Sequence, residues 1–284
     1  MQRNLFEDAA AAEPEHLAAV HPPLSEWASR PPSETVDGKL LLSASAIEAY
    51  RDCPLKFKFS HYLRIPIAPQ AALTFGNLMH QCVRYYYVLR REGVPRAEDL
   101  QAFYLRSWSA VGFEDAYQEE AYKKAGLEQL RQFVERQGEN PIPADQIQME
   151  QRFRMELDDV VLQGRIDQIN PCDGSRGSKP AVELVDYKTG RPRSQKDADK
   201  SLQLSVYALA ARRELNMDPA RLTFYNLTNN EVVSTVRTDK DIERAVVEID
   251  NVAVCIRQKL FDPSPGFVCK HCEFVPVCPV HEGQ

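Results

Sequence analysis

No stretch of this 284-residue chain approaches the ~18 consecutive apolar residues that a membrane-crossing helix needs. The first residues lack the basic-then-apolar order of a secretory signal. No G-x4-G-K-[S/T] loop occurs, so the chain carries no phosphate loop for ATP-driven work. Positive charge is not in excess: the formal net charge is −6, which gives no global support for binding a polyanion. Cysteines number seven, and the odd count argues against a fully paired disulfide set. Together these absences predict a cytoplasmic, membrane-free protein with reduced thiols. In such a protein, clustered cysteines point to metal ligands before disulfides. The length suffices for one large core or two small ones, and no internal repeat is evident.

Residues 1–38 are rich in Ala, Pro and Glu and read as a flexible leader or linker. Residues 39–284 read as the folded domain. Ser45-Ala46-Ile47-Glu48 has the spacing of a capping box. It predicts a helix that carries Ile47, Tyr50 and Cys53 inward. More helix is expected from near Gly76 to Leu89 and over about 97–137. Past Pro141 and Pro143 the pattern changes. Strands are expected over 148–158 and 160–169, joined by a turn at Asp158-Asp159, and over 181–188. A helix at about 198–214, strands near 221–228 and 231–237, and a helix at about 239–260 follow. The order predicts an α/β fold: a helical N-terminal region, then a mixed central sheet flanked by helices.

Side chains alternate across a strand, so Asp186 and Lys188 share one face. Asp167, in Gly164-Arg165-Ile166-Asp167, lies on the neighbouring expected strand. Two bare carboxylates ~4 Å apart repel by roughly 4 kcal/mol at an effective dielectric near 20. A divalent cation reverses that sign, and Mg2+ favours such oxygen ligands. Gln203 and Tyr207 lie one helical turn apart and share a face that can border the strand end. His80 is a further candidate ligand through its neutral imidazole. D-x-K alone is common on protein surfaces; its company here gives it meaning. The pattern points to a metal-dependent site that cleaves phosphodiesters.

Two local basic stretches offset the acidic total. One holds Arg51, Lys56, Lys58, His61 and Arg64. The other runs from Lys188 through Arg191, Arg193, Lys196 and Lys200. Either alone fits solvated surface, but the second begins inside the candidate site, and Arg191, Arg193 and Lys196 are its expected DNA contacts. Cys269, Cys272 and Cys278 form C-x2-C-x5-C at one end, and Cys53 stands alone at the other. Four thiolates can hold zinc or an iron–sulfur cluster, and spacing alone does not choose. Such a clasp joins the two ends of the domain. Cys82, Cys172 and Cys255 have no partner at useful spacing and read as core or incidental.

The order His80, Gly164-Arg165-Ile166-Asp167, Asp186-Tyr187-Lys188, Gln203-Leu204-Ser205-Val206-Tyr207 resembles the RecB-type branch of the PD-(D/E)XK nucleases. Ser43-Ala44-Ser45, Tyr50, Cys53-Pro54 and Phe57-Lys58-Phe59 resemble that branch's N-terminal signature. The one-plus-three cysteine pattern is similar to its iron–sulfur subgroup, which includes AddB-type recombination nucleases and CRISPR adaptation nucleases. The likeness spans about residues 41–280. It implies a restriction-endonuclease-like fold, with metal ligands at His80, Asp167, Asp186 and the Tyr187 carbonyl. It further implies a catalytic Lys188, an ordering role for Gln203 and Tyr207, and a [4Fe–4S] cluster on Cys53, Cys269, Cys272 and Cys278. Asp186 stands where many relatives have Glu; both occur.

The activity this implies is Mg2+- or Mn2+-dependent hydrolysis of DNA, expected as an exonuclease on single-stranded or unwound ends. The expected setting is DNA repair or recombination beside a partner or fused helicase. Two other expectations fit the same residues: a CRISPR adaptation nuclease, and a non-cutting iron–sulfur scaffold that binds DNA.

Overall fold

A short strand, β1 (Leu40–Leu42), leads directly into helix α1 (Ala44–Asp52). These coordinates are a computed structural model that describes residues 38–173 and 178–280, so the expected leader lies outside the described residues but for Gly38. Ser43 caps α1: its backbone is extended and its hydroxyl accepts from the Ala46 N–H at 3.2 Å. The capping box expected on Ser45 does not form. The extended backbone leaving β1 delivers Ser43, not Ser45, in the conformation a cap requires. Ser45 falls in the first turn, and Glu48 is left free of capping. Cys53 ends α1 and opens the short helix α2 (Pro54–Phe57), with Pro54 at its first position, where a missing N–H costs nothing. A π-helical turn over Lys58–Tyr62 follows.

Three helices then pack together: α3 (Ala71–Arg90), α4 (Ala97–Arg106) and α5 (Ala116–Gly138). The single helical stretch expected over 97–137 is thus two helices. Tyr86, Tyr87, Tyr104 and Phe133 from these helices are almost fully buried.

Strands β2 (Gln148–Leu157), β3 (Val160–Pro171), β4 (Ala181–Lys188), β5 (Asp218–Asn226) and β6 (Glu231–Thr235) complete a six-stranded mixed sheet with β1. Strand β3 is its pivot. One edge pairs antiparallel with β2. The other edge is divided: Val160–Leu162 pair parallel with β1, and Gln168–Pro171 pair antiparallel with β4. Between these halves the strand turns from one neighbour to the next, and Asp167 sits at the end of that gap. Gly164 lies within it because the Phe153 ring covers the strand there. A Cβ would come within 2.5 Å of Phe153 Cζ.

Helices α6 (Gln195–Lys200), α7 (Leu202–Arg213) and α8 (Asp239–Arg257) flank the sheet. Alternate residues of β4 feed two cores. Val182 and Leu184 join the core that contains α1, α7 and α8; Val185 and Tyr187 join the core of α3, α4 and α5. The single helix expected over 198–214 is broken at Ser201, which is the C-cap of α6 and the N-cap of α7. Arg237 stabilises the break. Its buried guanidinium donates to the carbonyls of Ala198 (2.7 Å) and Ser201 (3.1 Å) and to the Ser205 hydroxyl (2.8 Å). Arg237 lies just past β6, where the sequence predicted continued strand.

Candidate active site

The break at Ser201 sets the first turn of α7 against the end of β4. Gln203 Nε2 donates to Asp186 Oδ1 at 2.7 Å, and Gln203 Oε1 accepts from Lys188 Nζ at 2.8 Å. One amide therefore spans both charged residues of Asp186-Tyr187-Lys188. One turn on, the Tyr207 hydroxyl lies 2.8 Å from the Arg165 carbonyl and 3.1 Å from Asp186 Oδ1, and it accepts from Gln203 Nε2 at 3.0 Å. Tyr207 thus satisfies a carbonyl in the gap where β3 passes from β1 to β4.

Asp186 is 3% exposed. Its Oδ1 is held by Gln203 and Tyr207, while Oδ2 has no hydrogen bond of acceptable geometry. Lys188 Nζ approaches Oδ2 to 2.7 Å, as an ion pair by distance. We read this as attraction without directed bonding, because Lys188 donates along Gln203 and also lies 5.0 Å over the Phe224 ring. The Lys188 ammonium is thus the cation that balances Oδ2 in this arrangement.

Asp167 meets the same spot from β3. Its Oδ2 accepts from the Tyr187 N–H at 2.9 Å and lies 3.5 Å from His80 Nδ1 on α3. Burial, with the Asp186 charge adding to it, holds the Asp167 carboxyl well above the ordinary carboxylate range. Burial pushes His80 the other way and favours the neutral imidazole, the form that ligates metals. Helix α3 and strand β3 thus bring His80 and Asp167 together, and the charge of Asp186 on β4 acts on both. The Tyr187 ring packs edge-on to the His80 imidazole, centroids 6.4 Å apart, and its hydroxyl donates to Gln168 Oε1 at 2.6 Å.

Glu150 completes the set and was not among the expected residues. One ligand atom each from His80, Glu150 and Asp167 lies within 4.8 Å of the others, and no other such group occurs among the described residues. Hard carboxylate oxygens with one imidazole suit Mg2+ or Mn2+. The His80, Glu150 and Asp167 donor set therefore fits a divalent ion.

Two hollows flank this centre. Beside Lys188 a groove of about 480 Å3 is lined by Arg51, Arg193, Lys196 and Lys200, with Glu48 and Asp197 among them. Beside His80 a second, of about 370 Å3, is lined by Asn77, Gln81, Arg84, Glu150 and Arg165. The expected DNA contacts therefore divide. Arg193 and Lys196 line the groove; Arg191 does not, and pairs with Asp197 at 3.2 Å on the surface. The first basic stretch also divides: Arg51 faces the groove, Lys56 pairs with Glu273 at 3.2 Å, and Lys58 lies over Phe261.

Cys53, Cys269, Cys272 and Cys278 line one small apolar cavity. Backbone N–H groups of Ser264 and Gly266 donate to the sulfurs of Cys53 and Cys269, each at 3.4 Å. Among the described residues no three of these sulfurs lie within 4.8 Å of one another. Cys82 is buried, and burial pushes its thiol up to about 12.

A sequence model of the PD-(D/E)XK nuclease superfamily matches residues 41–279. The chain belongs to that superfamily, and its mixed sheet with flanking helices is the restriction-endonuclease-like fold of the group. Nuclease is the activity class that membership carries, and its members use divalent metal ions. The Gene 69 protein of Mycobacterium phage D29 is 26% identical over 275 residues, covering 84% of this chain and 97% of that protein. A crystal structure from Eubacterium rectale, described as a candidate exonuclease, superposes with a TM-score of 0.47 at 13% identity, covering 81% of this chain and 87% of that one. No helix among the described residues is long and apolar enough to cross a membrane.

Proposed function

We propose that this chain is a Mg2+- or Mn2+-dependent deoxyribonuclease of the RecB-type branch that acts as an exonuclease on single-stranded or unwound DNA ends. The observation that carries this reading is the Asp186 carboxylate, buried, fixed through Oδ1 by Gln203 and Tyr207 and paired through Oδ2 with Lys188, with its charge acting on Asp167 and His80 nearby. His80, Glu150, Asp167, Asp186 and the Tyr187 carbonyl would hold the ion. When bound, it would lower the pKa of a water nucleophile and neutralise charge on the phosphate. Lys188, aligned by Gln203 and Asp186, keeps an ammonium where it can orient the attacking water and stabilise the growing charge on the phosphate oxygens. In-line attack at phosphorus then leaves a 5′-phosphate and a 3′-hydroxyl. Arg51, Arg193, Lys196 and Lys200 line the groove along which the backbone would run.

The setting we infer is DNA repair or recombination beside a helicase, since the chain has no phosphate loop to drive unwinding. We further infer a [4Fe–4S] cluster on Cys53, Cys269, Cys272 and Cys278, a reading motivated by the four cysteines lining one cavity. Four thiolates on one zinc ion at ~2.3 Å would stand roughly 3.8 Å apart. No three of the sulfurs come within 4.8 Å of one another, and the backbone N–H···S bonds at Cys53 and Cys269 are of the kind that tune iron–sulfur clusters.

The test is Asp186→Ala against an end-labelled single-stranded oligonucleotide in Mg2+. Cleavage should fall by about 1,000-fold or more while DNA binding persists. Cutting at the wild-type rate would remove the assignment.

A further inference from the structure

Glu150 is built unlike its neighbours. Strand β2 pairs with β3 at Met149 and again at Gln151, and between them the residue opposite Asp167 drops out of the pairing. That residue is Glu150, whose backbone adopts φ 59, in the left-handed region. A non-glycine residue there costs roughly 1–2 kcal/mol. Its carboxylate has two claimants. Glu150 Oε2 pairs with Arg165 Nη1 at 2.6 Å, and a Glu150 oxygen lies within 4.8 Å of ligand atoms of His80 and Asp167. The Arg165 side chain is half-exposed and borders the hollow that also holds Arg84, Asn77 and Gln81.

We propose that Glu150 is a metal ligand latched by Arg165, so that loading the ion releases the Arg165 guanidinium to hold a DNA phosphate in the hollow beside His80. This rests on the reading of the site as a metal-dependent DNA nuclease. Without the ion, Arg165 is the cation that balances Glu150. With it, a divalent charge takes over that role and repels the guanidinium a few ångströms away. The side chain has solvent on one flank and can swing into the hollow. A guanidinium there matches two phosphate oxygens with its planar fork. Asn77, Gln81 and Arg84 supply further polar groups along the same wall. DNA on this side would lie across the metal from the Lys188 groove, so the strand would be gripped on both sides of the scissile bond.

Linkage makes the latch measurable without any cleavage. If metal and Arg165 compete for Glu150, removing Arg165 must tighten metal binding. Titration calorimetry of Mn2+ into wild type, Arg165→Ala and Glu150→Ala is the first arm. Arg165→Ala should bind Mn2+ tighter by roughly fivefold or more, and Glu150→Ala should bind it more weakly. The second arm is binding of a labelled single-stranded oligonucleotide in EDTA. Glu150→Ala should bind DNA tighter than wild type because Arg165 is unlatched; Arg165→Ala should bind it more weakly. Glu150→Gly, which accepts the positive φ, repeats both arms if the alanine variant folds poorly. Equal or weaker Mn2+ binding by Arg165→Ala would overturn the latch while leaving the nuclease reading intact. Absence of Mn2+ binding by the wild type would overturn both.

Discussion

Gln203 Nε2 lies 2.7 Å from Asp186 Oδ1, and that single bond ties helix α7 to strand β4 across the active site. The same amide accepts from Lys188. The Asp186 carboxylate is thereby held in one orientation, and the lysine beside it is held in register.

Gln203→Ala should therefore damage turnover more than binding. Supporting partners of metal ligands are typically worth about 10- to 100-fold in metal affinity or activity. We expect kcat to fall within that range, with the DNA KM little changed. Steady-state kinetics on a labelled single strand would show it; an unchanged kcat would mean the amide only packs.

Arg237→Ala should unsettle the same site from a distance. Its guanidinium bonds the Ala198 and Ser201 carbonyls where α6 ends and α7 begins. Losing these buried, charge-assisted bonds should cost about 2–4 kcal/mol in chemical denaturation. Arg237→Lys should rescue little, because an ammonium lacks the planar fork. A lysine variant as stable as wild type would contradict this account.

The metal-free protein should have a pH dependence set by Asp167, whose carboxyl is raised to about 8, first by burial and then by the Asp186 charge. The unfolded chain sheds this proton near pH 4. Folding then becomes less favourable as pH rises through the folded value, since only the native state retains the proton. In EDTA, Asp167→Asn should thus melt higher than wild type at about pH 9, with the gap closing near pH 4. A gap independent of pH would show that Asp167 ionises freely.

Cys53→Ala should loosen the whole domain. On the proposed reading it would be one member of a clasp between distant parts of the chain, closing a long loop worth roughly 5 kcal/mol in the chain-entropy model. Melting temperature and DNA affinity should both fall while Asp167 and Asp186 remain in place. Loss of an anaerobic absorbance near ~400 nm with no change in either would contradict a structural clasp.

The arrangement of the candidate-site motifs was legible because each lies on a regular element where spacing fixes direction. Alternation put Asp186 and Lys188 on one face of β4, and helical spacing put Gln203 above Tyr207. The features that escaped depend on contacts distant in sequence. The break at Ser201 is stabilised by Arg237, far along the chain, so local periodicity gave one helix. The cap on Ser43 depends on β1, only three residues long. Arg191 carries the right charge, but Asp197 keeps it on the surface. Glu150 belongs to no motif. A signal for it existed nonetheless: counting outward from the Asp158-Asp159 turn places it opposite Asp167.

The most direct measurement is calorimetric titration of Mn2+ into the wild-type protein and into Asp186→Ala, alongside Mg2+-dependent cleavage of a labelled DNA end by both. The account predicts a defined ion-binding isotherm and cleavage for the wild type, and the loss of both together in the variant. Metal binding and cutting by Asp186→Ala at wild-type levels would contradict it.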